Sequence, residues 1–214
     1  MDHQMLSLAD QVFDELEKNV LTEVYKRGEI ITEMRLCEQL GVSRTPVREA
    51  MLRLEQEHLI ETTGKGARVI GVSLEDIADI YDIRLRIEGI ASRKAACNRT
   101  EEGLRELKEA LEVQEFYTAK QDPDGIKNMD SRFHQILYRL CGSAPLRYTL
   151  EPLHRRIVKY RKVSISEHSR AAESLQEHKD IYDAIERGDG DAAERLTVAH
   201  IEKARDSILN GKKE

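Results

Sequence analysis

The chain has no tryptophan, and its aromatic share is only 5% of 214 residues. Its core must therefore be filled by aliphatic side chains. Four prolines leave long stretches free of any helix breaker. The three cysteines, Cys37, Cys97 and Cys141, are odd in number, widely spaced and in no C-x-x-C pattern. That excludes a disulfide framework, and buried thiols in a reducing compartment are the expected state. No segment approaches the roughly 20 apolar residues that span a bilayer, and the N-terminal MDHQMLSLADQVFDEL lacks a basic region followed by an apolar run. No membrane partner and a cytoplasmic location are expected. Net positive charge is also missing: 34 Lys and Arg stand against 40 Asp and Glu, a balance of −6. Indiscriminate binding of polyanions is therefore excluded, although a local basic footprint is not.

What the chain has is charge laid over helical periodicity. Charged residues make up 35% and apolar residues 40%, a composition suited to a soluble, mostly helical protein of one large domain or two small ones. Leu8, Val12, Leu16 and Val20 recur at helical spacing, and with Phe13 and Val24 they predict a first helix over residues 7–25. Thr32 is placed to cap a second helix that Gly41 closes. Thr45-Pro46 is placed to start a third, with Pro at its first position. Val47, Ala50, Met51 and Leu54 form the inner face of that third helix, which turns Arg44, Arg48 and Thr45 outward.

A short helix, a tight turn and a second helix opening with hydroxyl and guanidinium groups suit the major groove of DNA. Arg bridges O6 and N7 of guanine, while Ser and Thr hold phosphates. Residues 1–70 carry 9 Lys and Arg against 13 Asp and Glu. DNA contact must therefore come from a clustered minority: Arg35, Arg44, Arg48, Arg53, Lys65 and Arg68. Two β-prone runs, Leu59–Thr62 and Ala67–Ile70, flank the turn Thr63-Gly64-Lys65-Gly66 and predict a hairpin. Behind a helix-turn-helix it reads as a wing, with Lys65 and Gly66 at a tip able to enter the minor groove.

Gly71-Val72 reads as a joint between two domains, residues 1–71 and 72–214. Ser73 and Asp76 are placed to cap a helix running to Cys97. Further helices follow over 100–120, 124–141, 145–163, 171–187 and 191–209. Thr100, Pro145 and Asp189 are their starts, Gly142 and Gly188 stops, and Pro152 a bend. The predicted architecture is mainly α: a winged helix-turn-helix followed by an antiparallel bundle of six helices.

Of the seven histidines, His3 is terminal, and His154 and His168 sit in polar, basic surroundings. Asp130 and His134 share one helix face, since they are four apart. His178 precedes Ile181, Ala184 and Ile185, and His200 lies between Leu196 and Ile201. Three helices thus aim imidazole or carboxylate groups inward. Imidazoles with one carboxylate suit a first-row metal, but three separately satisfied histidines fit the same pattern.

The stretch Thr32 to Glu55, with its core L-G-V-S-R-T-P-V-R-E-A, followed by G-K-G-A-R-V, resembles the GntR family of bacterial transcription regulators. The later I-Y-D-I-R-L-R-I-E-G-I-A and the His-bearing helices resemble the FCD effector-binding domain of its FadR-like branch. The resemblance covers nearly the whole chain. It implies a DNA-binding transcription regulator, a repressor in the commoner case and not an enzyme, acting as a homodimer on a palindromic double-stranded operator. Arg35, Arg44 and Arg48 are placed on DNA, assisted by Ser43, Thr45, Lys65 and Gly66. It also implies one divalent transition metal per chain, zinc first with nickel or manganese open, held by Asp130, His134, His178 and His200. A small organic acid would bind beside it, with Arg84 as clamp and Tyr138, and further off Tyr182, lining the cavity. For Arg84 the alternative is an ion pair with Glu88 one turn away. Three rivals remain: an acyl thioester held without metal, a metal-dependent enzyme, and a helical interaction protein whose head only mediates assembly. His58 departs from the family pattern, which has glycine there, and must either avoid positive φ or accept strain.

Overall fold

The structure, a computed structural model, describes residues 7–164 and 169–210; His3 and His168 lie outside them. The chain divides into two compact units, Met1–Ser73 and Leu74–Glu214. No helix among the described residues is long and apolar enough to cross a membrane.

In the first unit, helix α1 (Leu8–Leu21) opens with a capping box between Ser7 and Asp10. It ends earlier than the apolar pattern suggested, and Val24 is exposed. Helix α2 (Glu33–Leu40) is capped by the Thr32 hydroxyl, which accepts from the Arg35 N–H, and closes on Gly41 at φ 66°. Helix α3 (Arg44–Gln56) starts two residues sooner than Thr45-Pro46 implied, with Ser43 at the cap position and no side-chain cap bond. Pro46 sits in the first turn, where its missing N–H costs nothing. Leu16, Val20, Leu36, Val47, Ala50 and Leu54 meet in one aliphatic core. Each buried Leu or Val side chain among them contributes about 1.5–3 kcal/mol.

Strands β2 (Ile60–Thr63) and β3 (Gly66–Val69) form the expected hairpin. A third strand the sequence did not announce, β1 (Ile30–Ile31), pairs with β3 and gives the antiparallel order β1-β3-β2. Two residues carry too little alternation to signal a strand. This edge explains Gly66: at φ 137°, a Cβ there would lie 2.5 Å from the Ile31 carbonyl oxygen. The glycine is required by the sheet itself, whatever the tip meets.

In the second unit the helices are α4 (Leu74–Cys97), α5 (Glu101–Lys120), α6 (Pro123–Leu140), α7 (Ala144–Ser164), α8 (Ser169–Arg187) and α9 (Gly190–Asn210). Thr100 caps α5 and Asp189 accepts from the Ala192 N–H, as their positions suggested. Gly142 and Gly188 take left-handed φ at the stops, and Pro152 lies inside α7. The core joins Ala91 and Ala95 of α4, Leu107 of α5, Phe133 and Leu137 of α6, Leu150 of α7 and Ile181 and Ile185 of α8. The thiols depart from expectation: Cys141 is buried, but Cys37 is half-buried and Cys97 exposed.

His58 does adopt the left-handed conformation, at φ 56°. The turn is forced by the end of α3, where the Leu59 N–H reaches back to the Leu54 carbonyl at 2.9 Å. His58→Gly is therefore expected to stabilise the protein by about 1 kcal/mol, read as a higher urea midpoint. An unchanged or lower midpoint would show that the imidazole compensates the strain.

Candidate functional site

Helices α2 and α3 meet across Gly41–Ser43, and the first turn of α3 faces solvent. Ser43, Arg44, Thr45 and Arg48 are exposed, while Pro46 and Val47 are buried beneath them. Arg48 is held by Glu33 of α2 at 2.8 Å, and Arg35 by Glu29 at 2.7 Å. Exposed pairs of this kind contribute about 0.2–1 kcal/mol, so both guanidinium groups can exchange partners for a phosphate at little loss. Arg44 has no ion-pair partner among the described residues. Lys65 is exposed at the hairpin turn. Arg53 and Arg68 do not join this face freely. Arg53 binds Asp10 at 2.7 Å and lies 3.9 Å over the Phe13 ring, which staples α3 to α1. Arg68 pairs with Glu61 across the hairpin.

The second constellation is buried inside the helical unit. One nitrogen from each of His134 on α6, His178 on α8 and His200 on α9 lies within 4.8 Å of the other two, and all three rings are buried. Donors around one zinc-sized ion with bonds of 2.0–2.1 Å sit roughly 3.3 Å apart, so modest ring movements would close the set. Asp130 stands slightly apart from the trio. Its carboxylate lies 3.8 Å from His178 Nε2 and 3.8 Å from His154 Nε2.

The far nitrogens are held from outside. His178 Nδ1 meets the Gln114 side-chain oxygen at 3.2 Å, and His200 Nδ1 meets Glu177 at 2.8 Å. Glu177 is itself gripped by Arg170 and Lys203. Fixing one imidazole nitrogen so that the other faces inward is how metal-binding histidines are oriented. Phe133 stacks on His178 with centroids 4.4 Å apart. The Nε2 atoms of His178 and His154 are buried with no hydrogen-bond partner. Unpaired buried acceptors are unfavourable by about 1–3 kcal/mol, and a cation would satisfy them. The donor set thus fits a transition metal.

Burial sets the electrostatics. It pushes the His154 and His178 pKa values well below the ordinary imidazole value, helped by neighbouring imidazoles (and at His154 by Arg84) against the opposing pull of Asp130. It lowers His200 as well, against the opposing pull of Glu177. Burial alone would raise Glu88, but Arg84 and His134 more than offset it and hold it well below the carboxylate range. Glu177 is likewise burial-raised but held low by His200, Arg170 and Lys203.

Next to the trio lies a buried network not foreseen in full. Arg84 donates to Glu88 from Nε at 2.7 Å and from a terminal nitrogen at 3.2 Å. The Tyr138 hydroxyl donates to Glu88 at 2.7 Å, and His134 Nδ1 lies 2.9 Å from the same carboxylate. Arg84 is thus committed to Glu88, and the pair is deeply buried, not a surface i,i+4 bridge. Tyr182 bonds Glu186 on its own helix, not the imidazoles. His154 extends the sequence reading: its surroundings are polar, but it is buried beside the cluster and not solvated. Its ring lies 4.4 Å from that of His134. The usable signal was its spacing between Leu150 and Ile157, both buried on α7, which Arg155 and Arg156 masked. Gln114 had a similar signal, at the fourth position of the buried series Leu107, Ala110, Leu111.

Comparison with known proteins bears on both constellations. Residues 8–70 match the family model "Bacterial regulatory proteins, gntR family", and residues 79–203 match the FCD domain. The chain is 28% identical to the HTH-type transcriptional repressor RspR of Escherichia coli K12 over 92% of this chain and 87% of that one. It is 29% identical to the HTH-type transcriptional regulator YdhC of Bacillus subtilis, covering 89% and 86% respectively. Among solved structures, McbR/YncC of E. coli aligns with a TM-score of 0.73 at 26% identity, over 98% of this chain and all of that one. These families and relatives are regulators of transcription, not enzymes.

A histidine whose folded pKa lies below its unfolded value binds fewer protons when folded. Its contribution is intact above about pH 6.5 and is lost as the pH falls below that value. Metal-free protein is therefore expected to lose stability between pH 7.5 and pH 5, at up to about 1.4 kcal/mol per pH unit for each imidazole kept neutral. Urea unfolding followed by helical circular dichroism at both pH values checks this. A flat profile would mean that the imidazoles accept protons without penalty.

Proposed function

Because the chain belongs to the gntR family of bacterial regulatory proteins and carries an FCD domain, we propose that it is a repressor released from DNA by a small organic acid. The name of its relative RspR supports the repressing sense. As a homodimer it reads a palindromic operator, each copy placing α3 in a major groove. Arg44 and Arg48 read base edges, Arg35, Ser43 and Thr45 hold the backbone, and the Lys65-Gly66 turn approaches the minor groove. Such a regulator works in the cytoplasm.

The observation that carries the control is the buried trio of His134, His178 and His200. With Asp130 they hold one divalent transition metal per chain. Zinc is the first candidate, and the same donors accept nickel or manganese. When bound, the metal supplies a Lewis-acid position for a carboxylate oxygen. The protein's own groups do the rest. Gln114 and Glu177 keep two imidazoles aimed inward, and burial keeps them neutral and available. The four ligands lie on α6, α8 and α9, so an occupied site ties three helices together. A coupling of about 1–3 kcal/mol, transmitted by way of Gly71-Val72, changes operator affinity by roughly 5- to 150-fold. A long acyl thioester would need an apolar cavity, and this cluster of polar donors argues against one.

Arg44→Ala and Arg48→Ala are each expected to weaken operator binding by about 1–3 kcal/mol, with helical content unchanged. Unaltered gel-shift affinity in both would remove α3 from the DNA. Elemental analysis is expected to find close to one transition metal per chain, and His178→Ala to lose most of it. A metal-free protein that still answers organic acids would end the metal-centred reading while leaving the DNA-binding one intact.

A further inference from the structure

Beside the histidine cluster, but outside it, lies a cavity of about 250 Å³ between α6 and α7. Arg132 and Arg139 of α6 and Arg147 and Arg155 of α7 line it, together with the buried Tyr138 and His154. The opposing charges are fewer. Glu106 receives both Arg132, at 2.9 Å, and Arg139, at 2.7 Å. Glu151 lies 3.9 Å from Arg147 Nε, too far for a hydrogen bond. That Nε is shut off from solvent and has no hydrogen-bond partner. Four guanidinium groups therefore line the recess with one carboxylate, Glu151, while Glu106 outside the lining engages two of them.

The recess and the cluster share a wall. Tyr138 donates to Glu88, and His154 Nε2 lies 3.8 Å from Asp130, while both side chains also line the cavity. Inside the wall the positive charge of Arg84 is already matched by Glu88. Outside it, guanidinium charge is in excess. Arginine forks are suited to carboxylate and phosphate groups.

We propose that this recess binds a second anionic group of the effector, a carboxylate or a phosphate. The effector is then a doubly charged acid, one end at the histidine cluster and the other among the arginines. This rests on the reading of a small organic acid as effector, and it narrows that reading to diacids and phosphorylated hydroxy acids.

The test is calorimetric titration of full-length, Zn(II)-loaded protein with two matched pairs: gluconate against glucarate, and glycerate against 3-phosphoglycerate. The same titrations are run on the Arg147→Gln/Arg155→Gln double variant, with zinc content and circular dichroism checked. In the native protein the doubly charged member of at least one pair is expected to bind roughly tenfold tighter, as one charge-assisted hydrogen bond implies. In the variant the preference collapses, while zinc content and affinity for the singly charged acid stay unchanged. A preference within the first pair assigns a carboxylate, and within the second a phosphate. Equal affinities within both pairs, or a preference that survives the substitutions, overturn the proposal and leave the organic-acid reading standing. Absence of binding by all four acids overturns that reading and this inference with it.

Discussion

A fully buried ion pair between Arg84 and Glu88 organises the interior of the helical unit. Two charges in a low-dielectric interior are tolerable only when their remaining hydrogen-bonding capacity is met, and removing one partner typically costs about 3–5 kcal/mol. Here Glu88 meets that demand by accepting from the Tyr138 hydroxyl of α6 and lies 2.9 Å from His134 Nδ1 of the same helix, while Arg84 approaches His154 of α7 at 3.5 Å. One pair on α4 thereby fixes the positions of groups on two other helices. The rest of the cluster is assembled against this frame.

Burial has opposite effects on acids and bases in the same few ångströms. It would neutralise Glu88, yet the adjacent guanidinium keeps it ionised. It does favour the neutral form of His154 and His178, where burial outweighs the opposing pull of Asp130 and its fellow carboxylates. Neutral imidazoles with an unpaired inward nitrogen are the form that binds metal. The arrangement that leaves buried acceptors unsatisfied, a defect by stability alone, is thus what fits the site to the proposed cation. The DNA-facing unit follows the opposite rule. The Arg35 and Arg48 guanidinium groups are exposed, weakly paired and easily reassigned.

Much of this was legible without coordinates. Thr32, Gly41 and Thr100 marked helix ends because caps act through local backbone geometry. Asp130 and His134 shared a face because four residues make about one helical turn. Other features were not legible. Ser43 takes the place of Thr45 at the start of α3, and it does so without a side-chain cap bond that a local rule could have announced. Arg53 looked like its basic neighbours until Phe13 and Asp10, forty residues earlier, claimed it. His154 looked solvated because its sequence neighbours are charged. A helix turns 100° per residue, so those neighbours report on a different face.

The sequence by itself determined the helices, the helix-turn-helix segment proposed to read DNA and the candidate imidazoles, because caps, periodicity and outward charge are properties of a few adjacent residues. Only the tertiary structure decided that three distant imidazoles converge within 4.8 Å, that Arg84 belongs to Glu88, and that four arginines wall a recess beside them. Convergence of that kind depends on which helix faces meet, and that is set by the packing of the whole core, not by any local run of side chains.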